Sequence, residues 1–233
     1  MEIDAEQVTS EPERIGDALG WRFAARGARA LFLGRGAPGR DEPWPETLLP
    51  ADVRRGWLRQ VHSDRVLDAR PGLCGEGDAL RVESSGLAAV VATADCVPIV
   101  VVGGRAVAAI HAGWRGLVAG VVGAALERLD PDAEAVAWIG PAIGPCCYEV
   151  GEDVASAVVA ASAAGVRRPG TRGRPHLDLA AAAIFQLRAA GIGRIRRIAA
   201  CTRCRPDWLW SHRGDGPGAG RNLTLVWREP TSG

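Results

Sequence analysis

A chain of 233 residues with 47% hydrophobic and 24% charged residues can bury one domain's core, which excludes wholesale disorder. Its 28 basic and 27 acidic residues leave a net charge of +1, so there is no strong field to steer nucleic acid or an anionic membrane. Every basic residue is arginine, and without lysine neither Schiff-base chemistry nor a P-loop lysine is open to the chain.

The first fifteen residues, MEIDAEQVTSEPERI, are acidic and polar and lack the apolar stretch of a signal peptide. Residues 1–18 are expected to be flexible and residues 19–229 to form a single catalytic domain. A first block, Trp21–Phe23 and Ala30–Leu33, leads into the loop GRGAPGRDEPWPE. Gly56–Val61 reads as a strand ending at His62, and Asp68–Asp78 as turns. Leu87–Thr93, Val97–Val102 and Ala106–Ile110 are short apolar runs suited to buried strands, with a turn at Gly103-Gly104. Gly116–Leu129 has helical spacing and is stopped by Asp130-Pro131. Val136–Ile139 is a strand that runs into GPAIGPCC. Glu152–Ala164 and Leu179–Ala190 read as helices, Ile195–Ala200 as a strand leading into CTRC, and Leu223–Trp227 as the last strand. The run Leu87–Val102 is interrupted by Thr93, Asp95 and Pro98, which excludes a membrane span. Six cysteines without a secretory signal read as thiols or metal ligands in a reducing cytoplasm.

Histidine is scarce: His62, His111, His176 and His212 are all there are. His62 and His111 end predicted strands, and Cys96 follows another. Strand ends in a layered fold open onto one rim, where two imidazoles and a thiolate can hold zinc with a fourth position open for water or substrate. The same three residues also suit a buried thiol and two satisfied histidines. Asp95 stands in an apolar setting where an unpaired carboxylate is costly. It reads as a partner orienting a metal-bound histidine, a general base, or a turn cap holding Arg115. Cys146-Cys147 and the CTRC cysteines, Cys201 and Cys204, read as packed thiols, because a vicinal pair is a poor second hook for a four-cysteine site. Cys74 reads as incidental. The segment WSHRGDGPGAGR offers Arg213 in a glycine-rich loop, suited to phosphate or carboxylate, or simply exposed in a turn.

The segments QVH (60–62), TADC (93–96), HAGWRG (111–116), GPAIGPCCYEVG (140–151) and CTRC…WSHRGDG (201–216) resemble the bacterial laccase-domain or polyphenol oxidase family, also known as peptidoglycan editing factors and as purine nucleoside phosphorylase-type zinc enzymes. The resemblance runs from about residue 20 to 228. It implies an α+β fold with two mixed sheets packed between helices, in four α/β/β/α layers like certain cysteine hydrolases. It implies zinc on His62, Cys96 and His111. It also implies phosphorolysis of adenosine, inosine, guanosine and methylthioadenosine, with some adenosine deamination. By the same resemblance, Cys96, His62, His111 and Asp95 would be catalytic, and Arg26, Gln60, Trp114 and Arg213 would bind nucleoside and phosphate. The expected partners are small molecules, with no nucleic acid or membrane, in a monomer or homodimer. The chain departs from the family at AARGARA, where only Arg26 and Gly27 keep the pattern, at LFLG, and at SHRGD, where His212 and Gly214 replace an aromatic and an arginine. The alternatives are a copper oxidase at the same trio, a cysteine hydrolase using Cys96, and a protein editing cell-wall precursors. Four histidines are too few for a laccase-type copper cluster.

Overall fold

Runs of small and β-branched residues become interior strands when both faces are covered. In the computed structural model, which describes residues 5–170 and 173–230, the strand Val97–Val102 is such a case. It sends Val97, Ile99 and Val101 into one core and Val100 and Val102 into another. Leu87–Thr93 divides its side chains in the same way, with Ala89 and Val91 on one face and Ala88 and Val90 on the other.

The strands form two seven-stranded mixed sheets. The first runs in the order Glu6–Val8, Arg194–Ile198, Val136–Ile139, Val97–Val102, Val107–Ala112, Ala79–Val82, Val66–Asp68. The second runs Glu13–Ile15, Ala18–Ala25, Ala28–Leu33, Asn222–Arg228, Leu87–Thr93, Arg54–Arg59, Gly72–Glu76. Phe32, Leu58, Val91, Val100, Trp138 and Val226 pack between them. The helices Trp114–Ala119, Val121–Leu129, Glu152–Ala160 and Leu179–Ala189 cover the outer face of the first sheet.

The α+β class and the two mixed sheets agree with expectation, but the fourth layer does not. The outer face of the second sheet is covered by Leu48, Leu49 and Val53 of an irregular segment rather than by helices. The N-terminus also differs from the flexible segment expected. Residues 1–4 lie outside the described ones, but from Glu6 the chain is paired. Glu6–Val8 adds a parallel edge strand beside Arg194–Ile198, and Glu13–Ile15 pairs with Ala18–Ala25. Polar residues on an edge strand are compatible with pairing because one face meets solvent. The expected helix 116–129 is two helices, broken at Gly120, whose φ of 91° caps the first while its N–H reaches back to Gly116 and Leu117. The stretch read only as turns contains the strand Gly72–Glu76. No helix among the described residues is long and apolar enough to cross a membrane.

Leu87–Thr93 lies in the second sheet and Val97–Val102 in the first, so residues 94–96 cross the seam between them. Nearby, Gly140 is held by close approach: a Cβ there would lie 2.2 Å from Cδ1 of the fully buried Phe32 and 2.8 Å from Cγ of Pro98. Gly140→Ala is therefore expected to destabilise the fold by about 1–3 kcal/mol through overpacking. A lowered urea midpoint at an unchanged slope would show it, and a midpoint equal to wild type would show that the seam can relax.

Candidate functional site

Strand register builds the site. Ile110 pairs with Ala79, so the next position outward sets Asp78 opposite His111, and the His111 N–H donates to the Asp78 carbonyl at 2.7 Å. On the other side, Ala112 pairs with Val97, which leaves Cys96 just beyond the last pair. His62 arrives from the second sheet, shortly after Arg54–Arg59. The donor atoms of His62, Cys96 and His111 all lie within 4.8 Å of one another, with Cys96 Sγ 3.8 Å from His62 Nε2. The two imidazole rings are 4.9 Å apart and inclined at 74°. His111 is buried, Cys96 half-buried and His62 exposed, so the trio opens to solvent on the His62 side. Gly113 leaves this space free, since a Cβ there would stand 2.7 Å from His62 Cδ2 and 3.0 Å from Cys96 Sγ.

One buried carboxylate organises both histidines. Asp78 accepts the Nδ1–H of His111 at 2.8 Å, the N–H groups of Val61, His62 and Ser63 at 3.3, 3.0 and 2.6 Å, and the Ser63 hydroxyl at 2.8 Å. His62 has a φ of 61°, a left-handed conformation that a histidine enters only with support. The three backbone donors around it supply that support. The bond from Nδ1 directs the other nitrogen of His111 toward Cys96.

Burial pushes the Asp78 carboxyl up, but the hydrogen bonds from His111 and Ser63 outweigh it and lower its pKa to about 2. Burial also disfavours the charged forms of Cys96 and His111. For Cys96, hydrogen bonds from His111 and His62 reverse this and bring the thiol down to about 6. For His111, hydrogen bonds to Asp78 and Cys96 raise the imidazole to about 9. Without metal the trio is thus a thiolate beside an imidazolium.

The other residues singled out from sequence fall in several places. Asp95 does not touch the histidines. It accepts the hydroxyls of Thr202 and Ser211 at 2.6 and 2.7 Å and the Arg213 N–H at 2.7 Å, at a φ of 96°. It ties loops together, and neither the orienting role nor a bond to Arg115 is seen. The orienting carboxylate is Asp78, whose only local signal was an acid immediately before the apolar strand Ala79–Val82. Gln60 spends both ends of its amide on the backbone of Ala92, at 2.7 and 2.8 Å, as a neighbouring strand would. Arg26 sits at the opposite rim. The second sheet pairs Ala28 with Arg228 at one end and Thr93 with Asn222 at the other, roughly 20 Å away along the strands. There Arg26 bonds Asp132 at 2.6 Å and the Glu134 carbonyl at 3.2 Å. Trp114 is partly buried against the helical core, and the Arg115 guanidinium lies 4.4 Å from its ring centre.

Arg213 is exposed beside the site, donating to the Glu149 carbonyl at 3.0 Å and lying 5.2 Å over the Tyr148 ring. Tyr148 itself was not singled out from sequence. Burial pushes its hydroxyl up first and the Cys96 charge adds to this, while Arg213 and Arg115 oppose it; the result is about 12, so the hydroxyl stays protonated. His176 donates to the Pro145 carbonyl at 2.6 Å, and His212 begins the short exposed helix His212–Asp215, so neither joins the trio. Cys146, Cys147, Cys201 and Cys204, read as packed thiols, instead converge with their sulfurs within 4.8 Å of one another. Cys74 is buried and donates to the Arg70 carbonyl.

The family described as multi-copper polyphenol oxidoreductase laccase matches residues 46–229. A Pseudomonas aeruginosa protein named purine nucleoside phosphorylase PA4543 is 37% identical over 182 residues, covering 76% of this chain and 75% of that one. Purine nucleoside phosphorylase Rv2149c of Mycobacterium tuberculosis is 40% identical over 182 residues, covering 74% and 72%. Among solved structures, NMB0706 of Neisseria meningitidis superposes with a TM-score of 0.78 at 28% identity, over 92% of this chain and all of that one. YlmD of Geobacillus stearothermophilus gives 0.79 at 25% identity, over 94% and 99%.

Asp78→Asn removes the charge from an acceptor of five bonds, each charge-assisted bond being worth about 1.5–3 kcal/mol. A carboxyl depressed in the folded state stabilises it above the unfolded pKa of about 4, and that contribution is lost as pH falls through about 2. The urea midpoint of the variant is therefore expected to lie well below wild type at pH 7, with the gap closing between about pH 4 and pH 2. A gap independent of pH would show that Asp78 acts by shape alone.

Proposed function

The chain belongs to the multi-copper polyphenol oxidoreductase laccase family, and we propose that it is a zinc-dependent purine nucleoside phosphorylase. The observation that carries this reading is the trio itself: two imidazoles and a thiolate within 4.8 Å, with His111 oriented by Asp78 and open space maintained by Gly113. That donor set fits one zinc ion with a free fourth position. The names of the relatives support the substrate class. The word multi-copper in the family description does not fit this chain, because among the described residues no third histidine reaches the trio.

When bound, the ion would supply Lewis-acid polarisation of whatever occupies its open position. The chain's own residues do the rest. Phosphorolysis forms a bond from a phosphate oxygen to the sugar C1′ as the glycosidic C–N bond breaks; the purine leaves with the electron pair and takes up a proton. Arg213 and Arg115, whose charges both reach Tyr148, supply the cationic wall for phosphate, and the protonated Tyr148 hydroxyl is a neutral donor beside it. Arg26, at the other rim, takes no part. The reading includes adenosine deamination as a side activity and a reducing cytoplasm that keeps Cys96 unoxidised.

One observation favours a second reading. Cys96, His111 and Asp78 form a thiolate–imidazolium–carboxylate chain of the kind that activates a cysteine nucleophile. Metal content separates the two. Cys96→Ser and His111→Ala are each expected to lose the zinc of this centre and the phosphorolytic activity while the far-ultraviolet dichroism stays native. A metal-free preparation that is fully active, and that iodoacetamide inactivates at Cys96, would favour the hydrolase.

For phosphate, product analysis of inosine turnover is expected to give ribose 1-phosphate, with a high apparent KM for phosphate because the chain has no lysine and Gly214 replaces a second arginine. Arg213→Ala should raise that KM about tenfold, the low end for a charge-assisted bond, since Arg213 is exposed. Free ribose at an undiminished rate without phosphate would contradict phosphorolysis. Ammonia release from adenosine measures the deaminase arm separately.

A further inference from the structure

Five of the chain's six cysteines have no part in the centre described above, yet four of them meet. The strands Val136–Ile139 and Arg194–Ile198 run parallel as neighbours, so the loops that leave them emerge side by side. A parallel bridge between Ala142 and Cys201 and the bond from Thr202 N–H to the Ala142 carbonyl at 3.1 Å hold the loops together. Cys147 and Tyr148 both donate their N–H to the Gly144 carbonyl, at 2.9 and 3.0 Å, which curls the vicinal pair into a single turn. This turn makes Cys146-Cys147 a second hook, against the expectation from its vicinal spacing.

We propose that Cys146, Cys147, Cys201 and Cys204 form a second metal site, taking zinc as a tetrathiolate. All four sulfurs lie within 4.8 Å of one another, with Cys204 Sγ 3.6 Å from Cys146 Sγ and 3.4 Å from Cys147 Sγ. A tetrahedron of sulfurs about 2.3 Å from zinc has edges of roughly 3.8 Å, so the cluster needs only small adjustments to close on an ion. The Gly144 N–H donates to Cys201 Sγ at 3.2 Å, a bond that supports a thiolate. Packing does not explain the arrangement, because Cys146 and Cys204 are exposed and Cys147 and Cys201 only half-buried.

The site would be structural, since four protein ligands leave no open position. It would also brace the centre. Cys147 precedes Tyr148, and Thr202, between the CTRC cysteines, donates to Asp95 at 2.6 Å. The proposal is independent of the phosphorylase reading.

Protein made in zinc-supplemented medium and purified reduced, without chelator, is expected to hold two zinc ions per chain by elemental analysis. The Cys147→Ser/Cys204→Ser double variant should retain one and Cys96→Ser should retain one. Loss of zinc on Cys147→Ser/Cys204→Ser with no loss on Cys96→Ser would support this site while failing the other. In case the double variant does not fold, wild-type protein gives a second measurement. Iodoacetamide labelling read by peptide mass spectrometry should spare all four cysteines while zinc is bound and modify them after chelation. A single zinc removed by Cys96→Ser, labelling unaffected by chelation, or a disulfide between any of the four that only a reductant opens would each overturn the proposal.

Discussion

The candidate centre depends on the buried Asp78 carboxylate. A charged group at full burial is tolerated only when its lone pairs are met, and here five donors meet them. The arrangement acts in two directions. Toward the second sheet it clamps residues 61–63 and holds His62 in a left-handed conformation. Toward the first sheet it receives the Nδ1–H of His111 and so orients the ring. Two histidines, one from each sheet, share one anchor, which makes their separation a property of the fold and not of side-chain chance.

The seam between the sheets supplies the rest. Residues 94–96 cross from one sheet to the other, and this crossing delivers Cys96 to the rim where the strand of His111 ends. Asp95, one residue earlier, faces the other way and collects the loop donors Thr202, Ser211 and Arg213. Adjacent residues thus serve different ends: Cys96 belongs to the centre, while Asp95 holds the loop that carries Arg213 beside it. The cysteine cluster lies in the same loop system, next to Tyr148, so that the wall of the centre and its bracing come from the same stretches of chain.

Much of this was legible in the sequence. The buried strands around residues 87–112 announce themselves by composition, because a strand covered on both faces must be apolar throughout. Strand ends carrying His62, Cys96 and His111 could be read directly. What was not legible depends on register and on contacts distant in sequence. Asp78 matters because Ala79 pairs with Ile110, a fact no local pattern encodes. Gln60 and Arg26 carry the right chemistry, but one is consumed by the Ala92 backbone and the other stands at the far rim. Gly120 broke a helix whose apolar spacing was continuous, and the polar strands Glu6–Val8 and Glu13–Ile15 lacked the alternation that reveals a strand. Vicinal cysteines are poor partners for a shared site in sequence, and only the turn closed on the Gly144 carbonyl brings them to Cys201 and Cys204.

The Asp78-anchored trio is arranged to hold one metal ion with an open fourth position. Anomalous diffraction at the zinc edge from crystals of protein purified without chelator tests this most directly. The expected result is a peak bonded to His62, Cys96 and His111, with His111 Nδ1 still on Asp78 and a solvent or substrate atom as the only further ligand. A trio without a peak, or a peak whose fourth ligand is another protein side chain, would contradict it.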